Sequence, residues 1–332
     1  MTRLLARATP LLLATLLSSA ALAQTTLRVA GNFPEDHSAT QAMEIFKEEL
    51  EKRTDGALVV QNFPAMQLGG AQENVDQVRS GAIFAVFTSV AYFTRSVPEL
   101  EAVSLPFQFA TREQAFKVMD GPVGDLLDEK LLEQGFVNLG YGELGYRHVT
   151  NNVRPIETLE DLNGLTVRLQ PNEVHLETFR ALGANPQSMD ISELYSALQQ
   201  GVIDGQENPY NITFTRRFFE VQEHLSDTGH FFDFINVVTN RQTFENLPDE
   251  QQTAVREAMD AAIRWQREEA ASVDQAYRQR LVDEGMTLTQ ITPEARAAMQ
   301  EAVAPVVDTV RERIGSDVLD LVMSQTAAAA GQ

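Results

Sequence analysis

The sequence predicts an α/β protein of two domains, in which helices cover sheets of mainly parallel strands. The chain has 332 residues, about the length of two average domains, and 43% of them are hydrophobic, which is sufficient for a buried core. Strand-like and helix-like segments alternate along the sequence, as they do in βαβ units. No pattern repeats with a period of about 20 to 50 residues, which excludes solenoids and propellers.

The first five predicted elements have the order β-α-β-α-β. Hydrophobic β-branched and aromatic residues indicate strands at residues 27–30, 58–63 and 83–88. The capping box Ser38-x-x-Gln41 begins the first helix, and the turn Asp55-Gly56 ends it. A second, shorter helix ends at Gly81.

The same alternation continues toward the C-terminus. Strands are predicted at residues 136–141, 165–169 and 231–239, and helices at residues 112–119, 123–134, 176–182 and 192–200. Residues 249–283 contain no Gly or Pro, so they predict a single helix about 50 Å long. A helix of that length exceeds the width of one small domain and is long enough to brace two. A further helix begins at Pro293.

The N-terminal segment has the three parts of a secretory signal peptide. Arg3 and Arg7 form the basic region, residues 11–17 the apolar region, and residues 21–23 (Ala-Leu-Ala) the cleavage site. The apolar run is shorter than the ~20 residues that a membrane-spanning helix needs, so it does not predict an uncleaved anchor. We therefore expect residues 1–23 to be removed, with the mature protein in the periplasm if the source is Gram-negative.

The composition limits the possible functions. The chain has 26 Lys and Arg against 47 Asp and Glu, a formal net charge of −21, which argues against nucleic acids and anionic membrane surfaces as partners. It has no Cys, so disulfides, zinc thiolate sites, iron–sulfur clusters and Cys nucleophiles are excluded. The five His residues form no metal-binding motif, and the sequence contains neither a nucleophile elbow nor a phosphate-binding loop. We therefore expect no enzyme activity, no cofactor and no bound metal.

Two arginines in strand-like surroundings are candidate binding residues. Arg168 lies among apolar residues of the strand at 165–169, and Arg147 lies where the two halves of the chain meet. A guanidinium is always charged and is costly to bury without an anion. Either arginine could form a structural ion pair with an internal acid, or it could offer two parallel hydrogen bonds to a ligand carboxylate. The sequence pattern alone does not separate these two interpretations.

The segment at residues 202–209 (VIDGQENP) is a third candidate. Its apolar start and polar, turn-forming end are typical of a strand that finishes at the carboxyl edge of a sheet, where open α/β sheets bind ligands. Asn208 in this segment can both donate and accept hydrogen bonds. A simple surface turn is the alternative interpretation.

Eight motifs, spread over roughly residues 27–240, occur together in a defined order. They are residues 67–70 (QLGG), 98–100 (PEL), 104–107 (SLPF), 164–168 (GLTVR), 182–186 (LGANP), 193–199 (ELYSALQ), 202–209 (VIDGQENP) and 219–222 (FEVQ). In this order and spacing they resemble the solute-binding proteins of tripartite ATP-independent periplasmic (TRAP) transporters, of the DctP type.

The resemblance implies a two-lobed periplasmic binding protein, a clamshell with a mainly parallel sheet in each lobe and a long C-terminal helix that spans both. Lobe I would comprise residues 24–144 and about 234–273, and lobe II residues 145–233 and about 274–328. Hinges are expected near residues 142–145 and 228–232, where the chain crosses between the lobes.

The resemblance also implies which residues bind the ligand. In this family an Arg at the position of Arg168 forms a salt bridge with the carboxylate of an organic acid. The matching Arg147 adds a second contact, and the Asn that matches Asn208 hydrogen-bonds the same region.

Positions of the pocket in the first lobe match Asn32, Ser89 and Tyr92. The sialic-acid branch of the family has an acid and an Arg in place of Ser89 and Tyr92, which argues against sialic acid as the ligand. The resemblance therefore favours a dicarboxylate, a sugar acid, or a hydroxy or keto acid.

The partners implied by the resemblance are the small and large membrane permease subunits of a TRAP transporter, which use a sodium gradient. We expect the binding protein itself to be a monomer. Three alternatives remain open. An ABC-type binding protein should lack this run of motifs, a periplasmic enzyme would convert its ligand and not return it intact, and a sensor-associated binding protein would present the same acid to a receptor.

Overall fold

The computed structural model describes residues 24–330, so the predicted signal peptide lies outside the described residues. The strands of this part are β1 (Thr25–Gly31), β2 (Leu58–Phe63), β3 (Ala85–Ser89), β4 (Phe136–Asn151), β5 (Thr166–Leu169), β6 (Asn185–Ser188), β7 (Gly205–Asn208), β8 (His224–Asn240) and β9 (Thr287–Thr289). The helices are α1 (Ser38–Arg53), α2 (Ala71–Arg79), α3 (Arg112–Met119), α4 (Pro122–Glu133), α5 (Glu173–Ala181), α6 (Ile191–Gln199), α7 (Tyr210–Thr215), α8 (Arg241–Glu245), α9 (Asp249–Asp283), α10 (Pro293–Ile314) and α11 (Ser316–Ala330).

The strands of residues 24–330 form one hydrogen-bonded sheet, in the order β2-β1-β3-β8-β4-β7-β5-β6, with β9 beside β8. The outer groups β2-β1-β3 and β7-β5-β6 are parallel, as the sequence predicts for each lobe. Between them, β8 runs antiparallel to β3 and β4, and β4 runs antiparallel to β7. The sheet is therefore mixed and continuous, because two long strands connect the two parallel groups.

These connecting strands are longer than predicted, at 16 residues for β4 and 17 for β8. The sequence indicates only residues 136–141 and 231–239, because glycines and polar residues break the hydrophobic pattern beyond them. The structure accommodates these residues with register shifts between β4 and β8, and such bulges bend a strand pair locally. One shift includes Gly145, whose φ of +114° favours glycine and which lies in a predicted hinge.

The predicted helices are present, and α9 has the predicted bounds. Thr111 caps α3, because its hydroxyl accepts a hydrogen bond from the Gln114 amide. The prediction that Ser38 caps α1 is wrong. The acceptor is Nδ1 of His37, one residue earlier, which is buried and takes a hydrogen bond from the Ala39 amide.

Five elements are not predicted by the sequence pattern: β6, β9, α7, α8 and α11. β6 shows the reason, because its sequence NPQS contains no β-branched or aromatic residue. It forms a strand by pairing in parallel with β5 at the edge of the sheet. Pairing with a neighbour therefore decides its conformation, and local propensity does not.

α9 connects the two parts of the fold. Ala254–Ile263 pack with α1 and the first part of β4, whereas Tyr277 and Leu281 pack with α7. After it, α10 packs on α5, and α11 packs on α3 and α4. Within residues 24–330, no helix has both the length and the apolar character needed to cross a bilayer.

Gln266 of α9 holds β4 at the predicted hinge. Its Nε2 donates to the Glu143 carbonyl at 2.8 Å, and its Oε1 accepts from the Glu143 amide at 2.8 Å. The Glu143 carboxylate is buried, and its ion pair with Arg112 is long, at 3.4 Å. Burial raises the pKa of this carboxyl to about 7, with the charge of Arg112 opposing the rise.

Replacing Glu143 with glutamine is expected to stabilise the protein at pH 8 but not at pH 5. The folded-state pKa lies above the value of about 4.3 for an unfolded Glu, so the wild type loses stability as the pH rises from about 4 through about 7. The glutamine side chain does not titrate. The unfolding free energy of the variant relative to the wild type therefore grows as the pH rises from about 4 through about 7, and it stays constant above that.

Urea denaturation at pH 5 and pH 8 measures this difference. The exposed Glu301→Gln is the matched control and should change the unfolding free energy by no more than about 0.5 kcal/mol at either pH. An equal effect of Glu143→Gln at the two pH values would contradict the prediction.

Candidate functional site

The carboxyl ends of β1, β3, β5 and β7 surround a partly open cavity. The first parallel group contributes Asn32 after β1, with Thr88 and Ser89 at the end of β3. The second contributes Gln170 after β5 and Asn208 at the end of β7. The other lining residues are Phe33, Ala71, Tyr92, Leu144, Ile191, Ile212 and Arg216. This is the edge at which open α/β sheets bind ligands.

The cavity is small in this conformation. Its volume is about 20 Å³, which leaves room for one or two water molecules. Hydrogen bonds join its two sides: the Ala71 amide donates to Oδ2 of Asp190 at 3.1 Å, and Nη2 of Arg216 donates to the Asn32 carbonyl at 2.5 Å. An organic acid therefore needs the two sides to move apart before it can enter.

Four of the six predicted binding residues line the cavity, namely Asn32, Ser89, Tyr92 and Asn208. The two arginines lie directly behind them. Arg168 contacts Tyr92, and Arg147 contacts Asn208. The structure thus brings all six residues together at one site.

Arg168 is fully buried and has no acidic partner. Its Nε donates to the Met189 carbonyl at 2.8 Å, and its Nη2 lies 3.5 Å from the Tyr92 hydroxyl. Its Nη1 is buried without a hydrogen-bond partner, and within residues 24–330 no carboxylate forms an ion pair with it. A buried charge without a counter-ion is costly, so this guanidinium is suited to receiving an anion.

Arg147 is also fully buried, but internal acids surround it. Its Nε donates to Oε2 of Glu207 at 2.5 Å, and its Nη2 donates to Oε1 of the same carboxylate at 2.8 Å. Its Nη1 donates to Oδ2 of Asp233 at 2.9 Å, and Nη2 also donates to Oδ1 of Asn208 at 3.0 Å. Arg147 therefore forms a structural ion pair with internal acids, which is the first of its two interpretations. Its direct contact with a ligand stays a prediction.

The groups around Arg147 have shifted pKa values. Burial alone would raise the pKa of Glu207, but the charge of Arg147 and a hydrogen bond from His230 outweigh it and hold that pKa well below its usual range. Burial raises the pKa of Asp233 to about 6, with Arg147 and the hydroxyl of Ser89 opposing the rise. Burial also lowers the pKa of His230, so its ring is neutral near pH 7. The charge of Arg147 is thus balanced inside the protein.

Polar atoms without partners line the cavity. Nδ2 and Oδ1 of the Asn32 side chain, the Thr88 hydroxyl and Oε1 of Gln170 are buried and make no hydrogen bond within residues 24–330. Buried polar groups are normally satisfied, so these atoms are available to hydroxyl or carboxylate groups of a ligand.

The structure adds three residues that we did not predict from the sequence: Glu207, Asp233 and Arg216. Glu207 precedes Asn208, and Arg216 stands beside Arg217 in a chain poor in basic residues, so local sequence could have indicated both. Asp233 has no such signal, since it reaches its partner only through the pairing of β8 with β4. In the described part of the chain, no group of three or more His, Asp or Glu side chains is placed to hold a metal ion.

The sequence matches one protein family over most of its length. Residues 29–313 match the family described as bacterial extracellular solute-binding protein, family 7, or DctP. The chain belongs to the DctP family. The resemblance that the eight motifs indicate is thereby confirmed.

Relatives within the DctP family are similar over most of both chains. The C4-dicarboxylate-binding periplasmic protein DctP of Rhodobacter capsulatus is 34% identical over 284 residues, 85% of each chain. The sugar acid binding protein DctPAm of Advenella mimigardefordensis, solved with galactonate, has a TM-score of 0.90 at 29% identity and covers 92% of this chain and 99% of its own. The TRAP periplasmic solute-binding protein of Sulfurospirillum deleyianum, solved with succinate, has a TM-score of 0.86 at 32% identity and covers 90% and 98%. This DctP-family chain therefore has the two-lobed fold of TRAP solute-binding proteins.

Proposed function

We propose that this protein captures a small organic acid anion in the cavity between its lobes and delivers it to the membrane permease of a TRAP transporter. Arg168 carries the proposal, because its guanidinium is buried and, among residues 24–330, one of its nitrogens has no hydrogen-bond partner and no acid forms an ion pair with it. A ligand carboxylate would receive two charge-assisted hydrogen bonds from this guanidinium, each worth about 1.5 to 3 kcal/mol. The relatives solved with galactonate and succinate support a carboxylate as the anion.

The other site residues would contact the rest of the acid. Asn32, Ser89, Tyr92 and Asn208 line the cavity with amide and hydroxyl groups, which suits a dicarboxylate, a sugar acid, or a hydroxy or keto acid. Arg147 would then act mainly by positioning Asn208, whose Oδ1 it holds at 3.0 Å. Because these residues bind and no catalytic group is proposed among them, the role is capture of an unchanged ligand, without a cofactor.

Closure of the lobes would couple binding to delivery. We assign residues 24–144 and about 234–273 to lobe I, and residues 145–233 and about 274–328 to lobe II. Both lobes contribute to the cavity, so a ligand contacts all of its partners only when they are closed. Its higher affinity for the closed form then shifts the population toward that form.

Export and partners complete the proposal. The predicted signal peptide would place the protein in the periplasm, where the closed, loaded form would dock on the small and large permease subunits. Proteoliposomes that contain those subunits should accumulate labelled acid only with the binding protein outside and an inward sodium gradient. Uptake that is independent of the binding protein would contradict delivery, and capture by a receptor in place of the permease would favour the sensor-associated alternative.

Organic acids are expected to raise the melting temperature of the wild-type protein. A ligand at 100 times its dissociation constant adds about 2.7 kcal/mol to the unfolding free energy, which is roughly 5 °C for a protein of this size. A thermal-shift screen of dicarboxylates, sugar acids and hydroxy and keto acids measures this effect. Arg168→Lys is the control that should show a smaller shift with the same acids at the same concentrations, because its affinity is lower. The absence of a shift with every acid would contradict the proposal.

A further inference from the structure

We propose that Arg216 is a second anion-binding residue of the cavity and that it makes the protein select acids with an anionic group at both ends. This inference rests on the proposed function, in which Arg168 binds the first carboxylate. It concerns a residue that follows α7 and belongs to none of the eight motifs of the sequence analysis.

The position and contacts of Arg216 support this role. Its side chain lines the cavity, and Nη2 donates to the Asn32 carbonyl across it. Nε is buried and has no hydrogen-bond partner. Within residues 24–330, Arg216 forms no ion pair with an acid; Asp190 acts on its charge only from a greater distance. The Nε donor of Arg216 is thus available to a ligand in the cavity.

The balance of charge around the cavity points to a dianion. Arg147 is matched by Glu207 and Asp233, whereas Arg168 and Arg216 form no ion pair with an acid in the described residues 24–330. Burial lowers the pKa of Arg216 to about 10, and the charge of Arg168 adds to the lowering, but the group stays protonated at pH 7. Two unmatched positive charges at one cavity favour a ligand with two negative charges.

The nearest competing acid does not remove this imbalance. The Asp190 carboxylate accepts hydrogen bonds from the Ala71 amide, at the start of α2, and from the amide and hydroxyl of Ser192, at the start of α6. Its charge is therefore directed at two helix N-termini, where carboxylates are favoured.

The unpartnered polar atoms indicate what lies between the two charged ends. The Asn32 side chain offers a donor and an acceptor, Thr88 a hydroxyl and Gln170 an acceptor, and none of these atoms makes a hydrogen bond within residues 24–330. Hydroxyl groups can satisfy all of them, because a hydroxyl both donates and accepts. The structure thus favours a hydroxylated diacid over an acid with a single charged end.

The test compares acids that differ in one end group. Galactarate and galactonate differ only in a terminal carboxylate against CH₂OH, and so do succinate and 4-hydroxybutyrate. The tightest acid of the screen and its own counterpart form the third pair. Isothermal titration should give at least tenfold tighter binding of the diacid by the wild type, and Arg216→Gln should weaken the diacid at least tenfold and the monoacid less than threefold.

Two further variants control for structure. Arg217→Gln makes the same change one residue later, at an exposed side chain paired with Glu220, and should leave all affinities unchanged. Arg216→Lys keeps the charge and loses the planar donors, so it should retain part of the preference for the diacid. Thermal unfolding without ligand shows which variants are folded.

The possible outcomes separate this inference from the proposed function. If Arg216→Gln weakens both members of a pair equally, Arg216 is only a closing contact to Asn32 and the inference is overturned. If the wild type binds the monoacid of the tightest pair better than its diacid, the inference is also overturned while capture of an acid stands. If no acid in the screen binds, both proposals fail.

Discussion

Replacing Arg168 with alanine is expected to weaken organic-acid binding by about a hundredfold or more. The variant loses two charge-assisted hydrogen bonds to the ligand carboxylate, together worth about 3 kcal/mol at the low end of their range. The more informative variant is Arg168→Lys, which keeps the charge and loses the two parallel donors. It should still weaken binding at least about tenfold, because an ammonium cannot reproduce the bidentate geometry.

The folded state should tolerate both changes at Arg168. Its guanidinium has one protein hydrogen bond of ordinary length, to the Met189 carbonyl, and forms no ion pair within residues 24–330. Isothermal titration measures the affinity, and thermal unfolding without ligand confirms the fold. Arg180→Lys, on the exposed face of α5, is the matched control and should bind like the wild type. Unchanged affinity in a folded Arg168 variant would remove Arg168 from the binding site.

Replacing Arg147 with methionine is expected to lower the free energy of unfolding by about 3 to 5 kcal/mol. The change leaves the carboxylates of Glu207 and Asp233 buried without their counter-ion, which is the costly way to break a buried ion pair. Urea denaturation of the ligand-free protein near pH 7.5 measures the loss. The exposed pair Arg241–Glu245 supplies the control, since Arg241→Met should cost less than about 1 kcal/mol.

Two additional measurements test the cause of this loss. Without the charge of Arg147, burial raises the folded-state pKa of Glu207, which Arg147 holds low in the wild type, and raises that of Asp233 further above its unfolded value. The variant therefore regains stability as the pH falls toward 5. The double variant Arg147→Met with Glu207→Gln should recover at least about 1 kcal/mol, because one buried charge is removed. A loss below about 1 kcal/mol in the single variant would contradict a structural role for this ion pair.

Arg147 and Arg168 show how far the sequence predicts the site. Both are arginines in strands of an acidic chain, and their local patterns left a structural ion pair and a ligand contact equally open. In the structure, Arg147 meets Glu207 and Asp233, which are 60 and 86 positions away, whereas Arg168 meets no acid within residues 24–330. The difference depends on which strands are neighbours, and sequence periodicity carries no information about that.

The limits of the element predictions have a similar cause. Hydrophobic, β-branched residues predict β2, and a run without Gly or Pro predicts α9, both with the observed bounds, because those elements follow local propensity. The sequence pattern predicts only part of the length of β4 and β8, since their polar ends are stabilised by pairing with each other and with β7. The edge strand β6 was not predicted at all for the same reason.

The amino-acid sequence predicts the α/β class, the long bracing helix, the family and a set of six residues that the structure brings together at one site. Local chemistry and the order of motifs are enough for that, because each is written in consecutive residues. Only the folded protein shows that Glu207 and Asp233 neutralise Arg147 and that, within residues 24–330, no acid pairs with Arg168 or Arg216. It also shows that side-chain atoms of Asn32, Thr88 and Gln170 have no partner in this part of the chain. Burial and pairing of this kind involve residues far apart in the sequence. Such residues come within hydrogen-bond distance only when the chain folds.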